Sequence, residues 1–396
     1  MKKVKYGIVG LGNQGSHYAI KLFSGGMIEN GVVGAICDID PARITALQAR
    51  EEYAKTPAFT DYRAMLDSGT VDAVLVETPH YIHPEIVMEC LKRGIHVLCE
   101  KPAGVYTKQV REMNEAAAGA GARFSMMFNQ RTNCVYRKMR EMIAAGEIGE
   151  LQRVSWIITD WFRTQEYYDS GNWRATWEGE GGGVLINQCP HQIDLIQWIV
   201  GEMPVTVRGF CGYGRWHDIE VEDEVTAFFT YKNGATGVFI TTTGEAPGTN
   251  RLEISGTRGK LLCDLSTGAD HALYFYRNAT DTLEHSRTAK SGFERPKMEI
   301  VKVETDGLNL QHAGILNNFT NAILGLEEQK IDGREGIRGV ELMNAMELSG
   351  WNGGEEITLP VDEERYLREL NAHRAVSRLK TGENKPVVDT TGTFGP

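Results

Sequence analysis

The period of the apolar positions changes once along this chain, and the change divides it. From Val4 to Phe128, short apolar runs alternate with stretches of helical spacing. The runs predict strands at Val4 to Val9, Val32 to Cys37, Ala58-Phe59, Ala73 to Glu77, Ile95 to Cys99 and Arg123 to Phe128. Spacing of 3.6 residues predicts helices after Gly15 and over Pro41 to Tyr53, Pro84 to Arg93 and Thr107 to Ala118. Repetition of this kind reads as a doubly wound parallel sheet.

After a helix at Asn133 to Ala145 the period falls to two. Leu151 to Trp161, Val205 to Trp216, Glu224 to Lys232, Ala235 to Thr243, Arg251 to Ser255 and Ala272 to Arg277 read as a mostly antiparallel sheet, with Asn233-Gly234 as a hairpin turn. An α+β domain follows, one face of its sheet covered by helices and the other rich in aromatic residues and open to a second subunit. Asn309 to Leu324, Glu335 to Ser349 and Glu363 to Leu379 read as further helices. Thr381 to Pro396 has no pattern and reads as an arm on a neighbour or a disordered tail. A chain of 396 residues is long enough for two cores, and we divide it at 1–130 and 131–396.

Composition narrows the partners. Lys and Arg number 42 against 53 Asp and Glu, and the net charge of −11 disfavours nucleic acid. The first apolar run is broken by Gly7, Gly10 and Gly12, so neither a signal peptide nor a spanning helix fits. The reading is a cytoplasmic protein with no membrane partner. Seven cysteines without a Cys-x-x-Cys pair imply neither a disulfide framework nor a zinc cluster, and no metal is expected.

The candidate chemistry sits at strand ends. Val4 to Val9 runs into Gly10-Leu11-Gly12-Asn13-Gln14-Gly15, the strand, glycine turn and helix of a dinucleotide site. The second strand ends in Asp38, 23 residues after Gly15, where a carboxylate can accept ribose hydroxyls. A 2′-phosphate would face like charge from Asp38 and Asp40, with no adjacent arginine until Arg43, so NAD is expected rather than NADP. Thr78-Pro79, with His83, lies at the same carboxyl edge and should reach the nicotinamide half. So does Glu100-Lys101-Pro102, which places an ammonium where open α/β sheets bind ligands. Further on, Gly181-Gly182-Gly183 leads to Asn187 and to Pro190-His191, with Pro190 suited to a helix's first turn and Asp194 on the same helical face as His191.

The glycine turn, the Thr-Pro turn, Glu100-Lys101-Pro102, Trp173-Arg174, the three glycines and His191-x-x-Asp194, in this order and spacing, resemble the glucose-fructose oxidoreductase, inositol dehydrogenase and MocA family. The resemblance implies a Rossmann domain joined to an open-faced α/β domain and NAD(P)-dependent oxidation or reduction of a sugar or cyclitol. It implies that Lys101 and His191 converge on the reacting hydroxyl. It places Gly10, Gly12, Asn13, Gln14, Gly15, Asp38, Thr78, Pro79, His83, Glu100, Lys101, Asn129, Trp173 and Arg174 against the cofactor, and Trp161, Arg163, Tyr168, Trp173, Asn187 and His191 against the substrate. It also implies dimers or tetramers formed through the open sheet face.

One position departs from the pattern. Family dehydrogenases usually carry an aspartate four residues before the histidine, and this chain has Asn187. Asn187 then either contacts substrate and leaves His191 a weaker base, unless Asp194 or a substrate hydroxyl takes the aspartate's place, or merely caps the helix that carries His191. The expected activity is a sugar or glycoside dehydrogenase with His191 as base and Lys101 stabilising the alkoxide. A glucose-like ring oxidised at a carbon such as C3 is favoured by the aromatic residues from Trp161 to Trp177 and by the lack of an arginine pair for a carboxylate. An inositol dehydrogenase, an NAD-dependent glycosidase working by transient oxidation and elimination, and a non-catalytic NAD sensor are the alternatives.

Overall fold

The computed structural model describes residues 3–378. Its first sheet comprises β1 (Val4–Val9), β2 (Gly31–Cys37), β3 (Ala58–Phe59), β4 (Ala73–Val76), β5 (His96–Cys99) and β6 (Phe124–Met126), ordered β3-β2-β1-β4-β5-β6 with every pairing parallel. Helices cover both faces, so all four residues of β4 are buried. The strand order reverses between β1 and β4, and that switch point opens a crevice at the carboxyl ends. Gly10, Glu77, Glu100 and Met127 each extend the ladder by one bond to a neighbouring strand end, which keeps the crevice floor rigid.

The second sheet has nine strands: β7 (Leu151–Ile158), β8 (Thr206–Tyr213), β9 (Glu222–Thr230), β10 (Thr236–Thr242), β11 (Asn250–Gly256), β12 (Gly259–Asp264), β13 (Leu273–Asn278), β14 (Met298–Val303) and β15 (Ile357–Thr358). They are ordered β14-β13-β12-β11-β7-β10-β9-β8-β15, and β7 with β10 is the parallel pair in an otherwise antiparallel sheet. β12, β14 and β15 are additions to the six expected strands. β14 escapes periodicity because it is an edge strand, exposed or half-buried on both faces. The Asn233-Gly234 turn joins β9 to β10, with Gly234 at φ +86 as the hairpin requires.

Helices Cys134–Ala144, Pro190–Val200 and Gly336–Trp351 cover one face of this sheet. Trp156 of β7 is fully buried there, between Tyr136 and Phe239. The opposite face keeps Ile157, Phe210 and Phe228 at 37%, 58% and 41% exposure.

Boundaries move in two places for local reasons. The first crossover leaves α-helical geometry after His17 for a π-helical stretch, Tyr18–Phe23. The helix expected to reach Tyr53 ends at Gln48, and a short 3-10 turn, Glu51–Tyr53, finishes it. The helix expected over Glu363 to Leu379 runs Glu363–Ala375, and the tail from Thr381 lies outside the described residues.

Two long-range ties set the site. Helix Gln311–Ile323 packs back on the first sheet, where Thr320 Oγ1 meets the buried Tyr6 hydroxyl at 2.7 Å and Asn321 pairs with Asn30 at 2.9 Å. Arg131, between the two sheets, grips Asp194 through Nε at 2.7 Å and Nη2 at 2.6 Å, and reaches Glu335 at 2.8 Å. Its guanidinium also lies 4.7 Å from the Phe128 ring and 5.3 Å from the Trp198 ring. Removing one partner of a buried ion pair leaves an uncompensated charge, a loss of about 3–5 kcal/mol. Arg131→Ala should therefore lower unfolding stability by about that amount in denaturant titration; a loss below about 1 kcal/mol would show that the pair is dispensable.

Candidate active site

The glycine turn is as tight as backbone contact allows. Gly10 has φ +95, and a Cβ there would lie 2.4 Å from the Glu77 carbonyl oxygen; a Cβ at Gly15 would lie 1.9 Å from the Gly10 oxygen. At Gly12 a Cβ would meet only Arg43 Nη1, at 3.5 Å, so the space above the turn is free for a ligand. Asn13 and Gln14 open the helix that follows, which carries no acidic residue in its first turn. Asp38 is buried, its oxygens accepting from Leu11 N at 2.6 Å and Asp40 N at 2.8 Å. Arg43 is closer than its sequence distance suggested: it folds back to 3.6 Å from Asp38 and 3.7 Å from Asp40.

The Thr78-Pro79 turn and Lys101-Pro102 are fastened by one buried ring. His83 Nδ1 lies 2.8 Å from the Pro102 oxygen and Nε2 lies 2.7 Å from the Thr78 oxygen. A neutral ring donates to one of these carbonyls and only approaches the other, so His83 braces the two turns from behind the cleft. Thr78 Oγ1 and Asn129 Oδ1 are buried without protein partners, as groups awaiting a ligand would be. A glycine cradle, a buried carboxylate at the end of β2 and orphaned polar atoms together fit a dinucleotide.

Two carboxyls meet beneath the turn. Glu100 accepts from the Tyr18 hydroxyl at 2.7 Å and from Lys101 N at 3.1 Å, whereas Glu77 Oε2 has no partner. Burial, and then the charge of Glu100, push Glu77 well above the usual carboxylate range; burial raises Glu100 as well, but Lys101 and the Tyr18 hydroxyl oppose that, so of the two the pocket favours the charged form of Glu100.

Lys101 Nζ crosses from the end of β5 to the second domain and donates to the Asn187 main-chain oxygen at 3.0 Å. Burial lowers its pKa, and the charges of Glu100 and Glu180 oppose that. Helix Pro190–Val200 presents half-buried His191 in its first turn, with Pro190 beside it and Gly201 at φ +87 closing the far end. Burial, then Lys101 and His312, push His191 well below the usual imidazole range, so the ring is neutral. Its Nδ1 is buried and unpartnered.

Asn187 does not cap this helix: the cap position is Cys189, with no side-chain bond. The Asn187 amide instead donates to buried Glu180 and faces the Tyr167 hydroxyl through Oδ1 at 3.5 Å, and no hydrogen bond joins it to His191. Asp194 cannot stand in for the missing aspartate either, because Arg131 occupies both of its oxygens.

The aromatic wall differs from expectation by one residue. Tyr168 is buried with its hydroxyl on Thr243 at 2.7 Å, so it belongs to the core. Tyr167, its neighbour on the short helix Gln165–Asp169, faces the cleft and accepts from Arg174 at 2.8 Å and Gln188 at 3.2 Å. Arg163 and Arg174 lie over its ring at 5.2 Å and 4.5 Å, and Arg163 also lies 5.5 Å from the Trp161 ring. The two arginines thus form the pair that the sequence did not reveal, which removes one argument for an uncharged glycoside. Trp173 stands edge-on to His80 at 5.9 Å, on the cofactor side.

Sequence reasoning missed Glu180, Tyr167 and His312. The last comes from helix Gln311–Ile323, lies 4.0 Å from Glu100 and edge-on to Tyr18 at 5.8 Å, and is lowered to about 4 by burial, then His17 and Lys101. Glu180 alone left a trace, as a carboxylate immediately before three glycines. Among the described residues no His, Cys, Asp and Glu cluster suits a metal, and no helix is long and apolar enough to cross a membrane.

This geometry defines a dinucleotide-dependent oxidoreductase site between two domains. Residues 4–128 match the oxidoreductase family's NAD-binding Rossmann fold and residues 136–262 match the GFO/IDH/MocA C-terminal domain, so the chain belongs to the GFO/IDH/MocA family. It is 28% identical over 208 residues to the rhizopine catabolism protein MocA of Rhizobium meliloti, covering 52% of this chain and 61% of that protein. It is 27% identical over 267 residues to the myo-inositol 2-dehydrogenase of Thermotoga maritima, covering 66% and 75% respectively. Among solved structures, the WlbA dehydrogenase of Bordetella pertussis in complex with NADH and UDP-GlcNAcA is 26% identical, with a TM-score of 0.75 over 91% of this chain and all of that one.

Because Asp38 is buried and already holds Arg43, kcat/KM should favour NAD over NADP. Asp38→Ser should release Arg43 toward a 2′-phosphate and narrow the preference by about tenfold or more, the worth of one ion pair at intermediate dielectric. A wild-type preference for NADP would overturn this assignment of Asp38.

Proposed function

We propose that this protein is a cytoplasmic NAD-dependent dehydrogenase that moves a hydride between NAD and a secondary alcohol on a sugar ring. The observation that carries the reading is Lys101: an ammonium at the end of β5, bonded across the cleft to the Asn187 carbonyl, with neutral His191 on the adjoining helix. Gly10, Gly12, Asn13, Gln14, Gly15, Asp38, Thr78, Glu100 and Asn129 would hold NAD, with Trp173 and Arg174 closing over it from the second domain. Bound NAD supplies the hydride acceptor. Lys101 donates to the reacting oxygen and stabilises its developing charge, and His191, being neutral, is able to take the hydroxyl proton. Asn187 offers an acceptor to a neighbouring hydroxyl, while Tyr167 and Trp161 offer flat faces to the ring.

A second reading of the substrate is favoured by Arg163 and Arg174. Neither is ion-paired among the described residues, and their guanidinium groups converge on Tyr167. A ring bearing a carboxylate, as in the WlbA complex with UDP-GlcNAcA, would engage them. The test is NADH formation from a panel of free sugars, glycosides, inositols and uronic acids. Release of sugar from a glycoside without net NADH would point to oxidation and elimination instead. On the substrate found, Lys101→Ala should lose about 10²–10³ in kcat, the usual worth of a charge-stabilising donor, with NAD affinity within a few-fold of wild type. Near-normal kcat would make Lys101 only a strand-end lysine.

The open sheet face completes the proposal: Ile157, Phe210 and Phe228 would be covered by a second copy, giving a dimer or tetramer. Light scattering should find a homo-oligomer that Phe228→Glu dissociates; a monomeric wild type would exclude this.

A further inference from the structure

Asn187 is held at three points. Its amide nitrogen donates to Glu180 Oε1, its main-chain oxygen accepts from Lys101 Nζ at 3.0 Å, and its Oδ1 faces the Tyr167 hydroxyl. Glu180 is 1% exposed, and its second oxygen accepts from Ala175 N at 2.6 Å. The Glu180 main-chain oxygen lies 3.2 Å from His80 Nδ1, which ties this carboxylate to the turn over the cofactor pocket. Glu180 is therefore built into the join between the two halves of the site.

We infer that Glu180 is the positioning residue of the Lys101–Asn187 pair: its carboxylate turns the Asn187 amide so that Oδ1 faces the cleft, and it supplies a fixed negative charge beside Lys101. The inference rests on the reading of Lys101 as the substrate-facing ammonium. An amide on its own can present either end to a substrate hydroxyl. A carboxylate accepts only, so the nitrogen is committed to Glu180 and the oxygen is left for the cleft. The arrangement also explains why position 187 is an amide. An aspartate there would set a second carboxylate against Glu180, and two such groups cannot both ionise at contact. The carboxylate can stand at 180 or at 187, but not at both.

The charge of Glu180 reaches Arg174 as well as Lys101, and both oppose the upward push of burial on its carboxyl. Lys101 is faced by Glu100 from its own strand end, by Glu180, Arg174 and Cys189 from the second domain, by Glu77, His80 and His83 from the turns beside it, and by His191 and His312 from two helices. Burial pushes Glu77 well above the usual carboxylate range and the histidines toward neutrality; it raises Glu100 and Glu180 too, but Lys101 and hydrogen-bond donors oppose that, and these two are the acidic groups whose charge supports the ammonium.

The reciprocal exchange tests this. Glu180→Gln, Asn187→Asp and the double variant Glu180→Gln/Asn187→Asp are loaded with NAD, and the pH midpoint of Lys101 acylation by acetic anhydride is read by peptide mass spectrometry. Glu180→Gln should lower the midpoint by about one unit, the usual effect of removing one nearby opposite charge, and the double variant should restore it. Asn187→Asp alone should lose melting temperature, and the double should recover it. With a turned-over sugar, kcat/KM should fall about tenfold in Glu180→Gln and return in the double, a rescue that a purely structural carboxylate would not give. An unmoved midpoint in Glu180→Gln, or a double variant no better than the worse single one, overturns the inference. If Glu180→Gln does not fold, the double decides alone, and a midpoint about one unit below wild type counts against the inference. Acylation needs no substrate, so this outcome stands even if no sugar is oxidised.

Discussion

Desolvation of Lys101 is the constraint around which the cleft is arranged. A parallel strand buried on both faces has no solvated flank, so a lysine two residues past its end is poorly solvated, and burial lowers its pKa unless opposite charges oppose it. The structure answers with two carboxylates from opposite sides: Glu100 from the same strand end and Glu180 from a loop of the second domain. A third negative charge is disfavoured there, because burial, and then the charge of Glu100, push Glu77 well above the usual carboxylate range. The pocket therefore holds its charges in near balance before any ligand arrives.

Balance of charge is useful only if the groups stay in register, and they come from elements far apart in the chain. The helix that bears His191 is pinned to the rest of the molecule through Asp194, one turn further along, by the Arg131 fork. Arg131 lies five residues after the last strand of the first sheet, in the turn Asn129–Thr132, so the same guanidinium sets the distance between that sheet's strand ends and the start of the helix. Asp194 thus serves the histidine indirectly, by fixing its backbone. Its carboxylate is spent on that task, which is why it is not available as the histidine's hydrogen-bond partner.

What could be read from the sequence was whatever depends on near neighbours. The glycine turn was legible from the spacing of Gly10, Gly12 and Gly15 directly after a strand, with Gly15 forced by the Gly10 oxygen within the turn, and Lys101 because Gly94 and Pro102 bracket its strand. Periodicity identified the two sheets but missed β12, β14 and β15, and of these β14 has no buried face to show a period. Tyr167 and Tyr168 could not be told apart, because a helix of five residues is too short to show a phase. Glu180 left only its place before the three glycines as a trace, since nothing nearby in sequence announces that it will accept from the Asn187 amide and the Ala175 N–H. His312 was invisible for a similar reason: it reaches the site from a helix that returns to the first domain after the whole second sheet has been built. Long-range electrostatic complementarity leaves no periodic mark.

Charge conservation also explains why a neutral histidine suits this pocket. In the proposed oxidation, loss of the hydroxyl proton creates a negative oxygen next to Lys101. At about 4 Å and an effective dielectric near 20, that contact is worth about 4 kcal/mol. If the proton left for bulk water, the pocket would end one unit more negative, beside the carboxylates of Glu100 and Glu180. If it passes to His191, the imidazolium appears as the alkoxide does, and the pocket's total is unchanged. The charge of Lys101 and the burial that keep the imidazole neutral at rest also make its protonated form costly unless an oxyanion forms nearby. A ring of low basicity is then protonated mainly when an alkoxide is there to compensate it, so that proton transfer and charge development become one event.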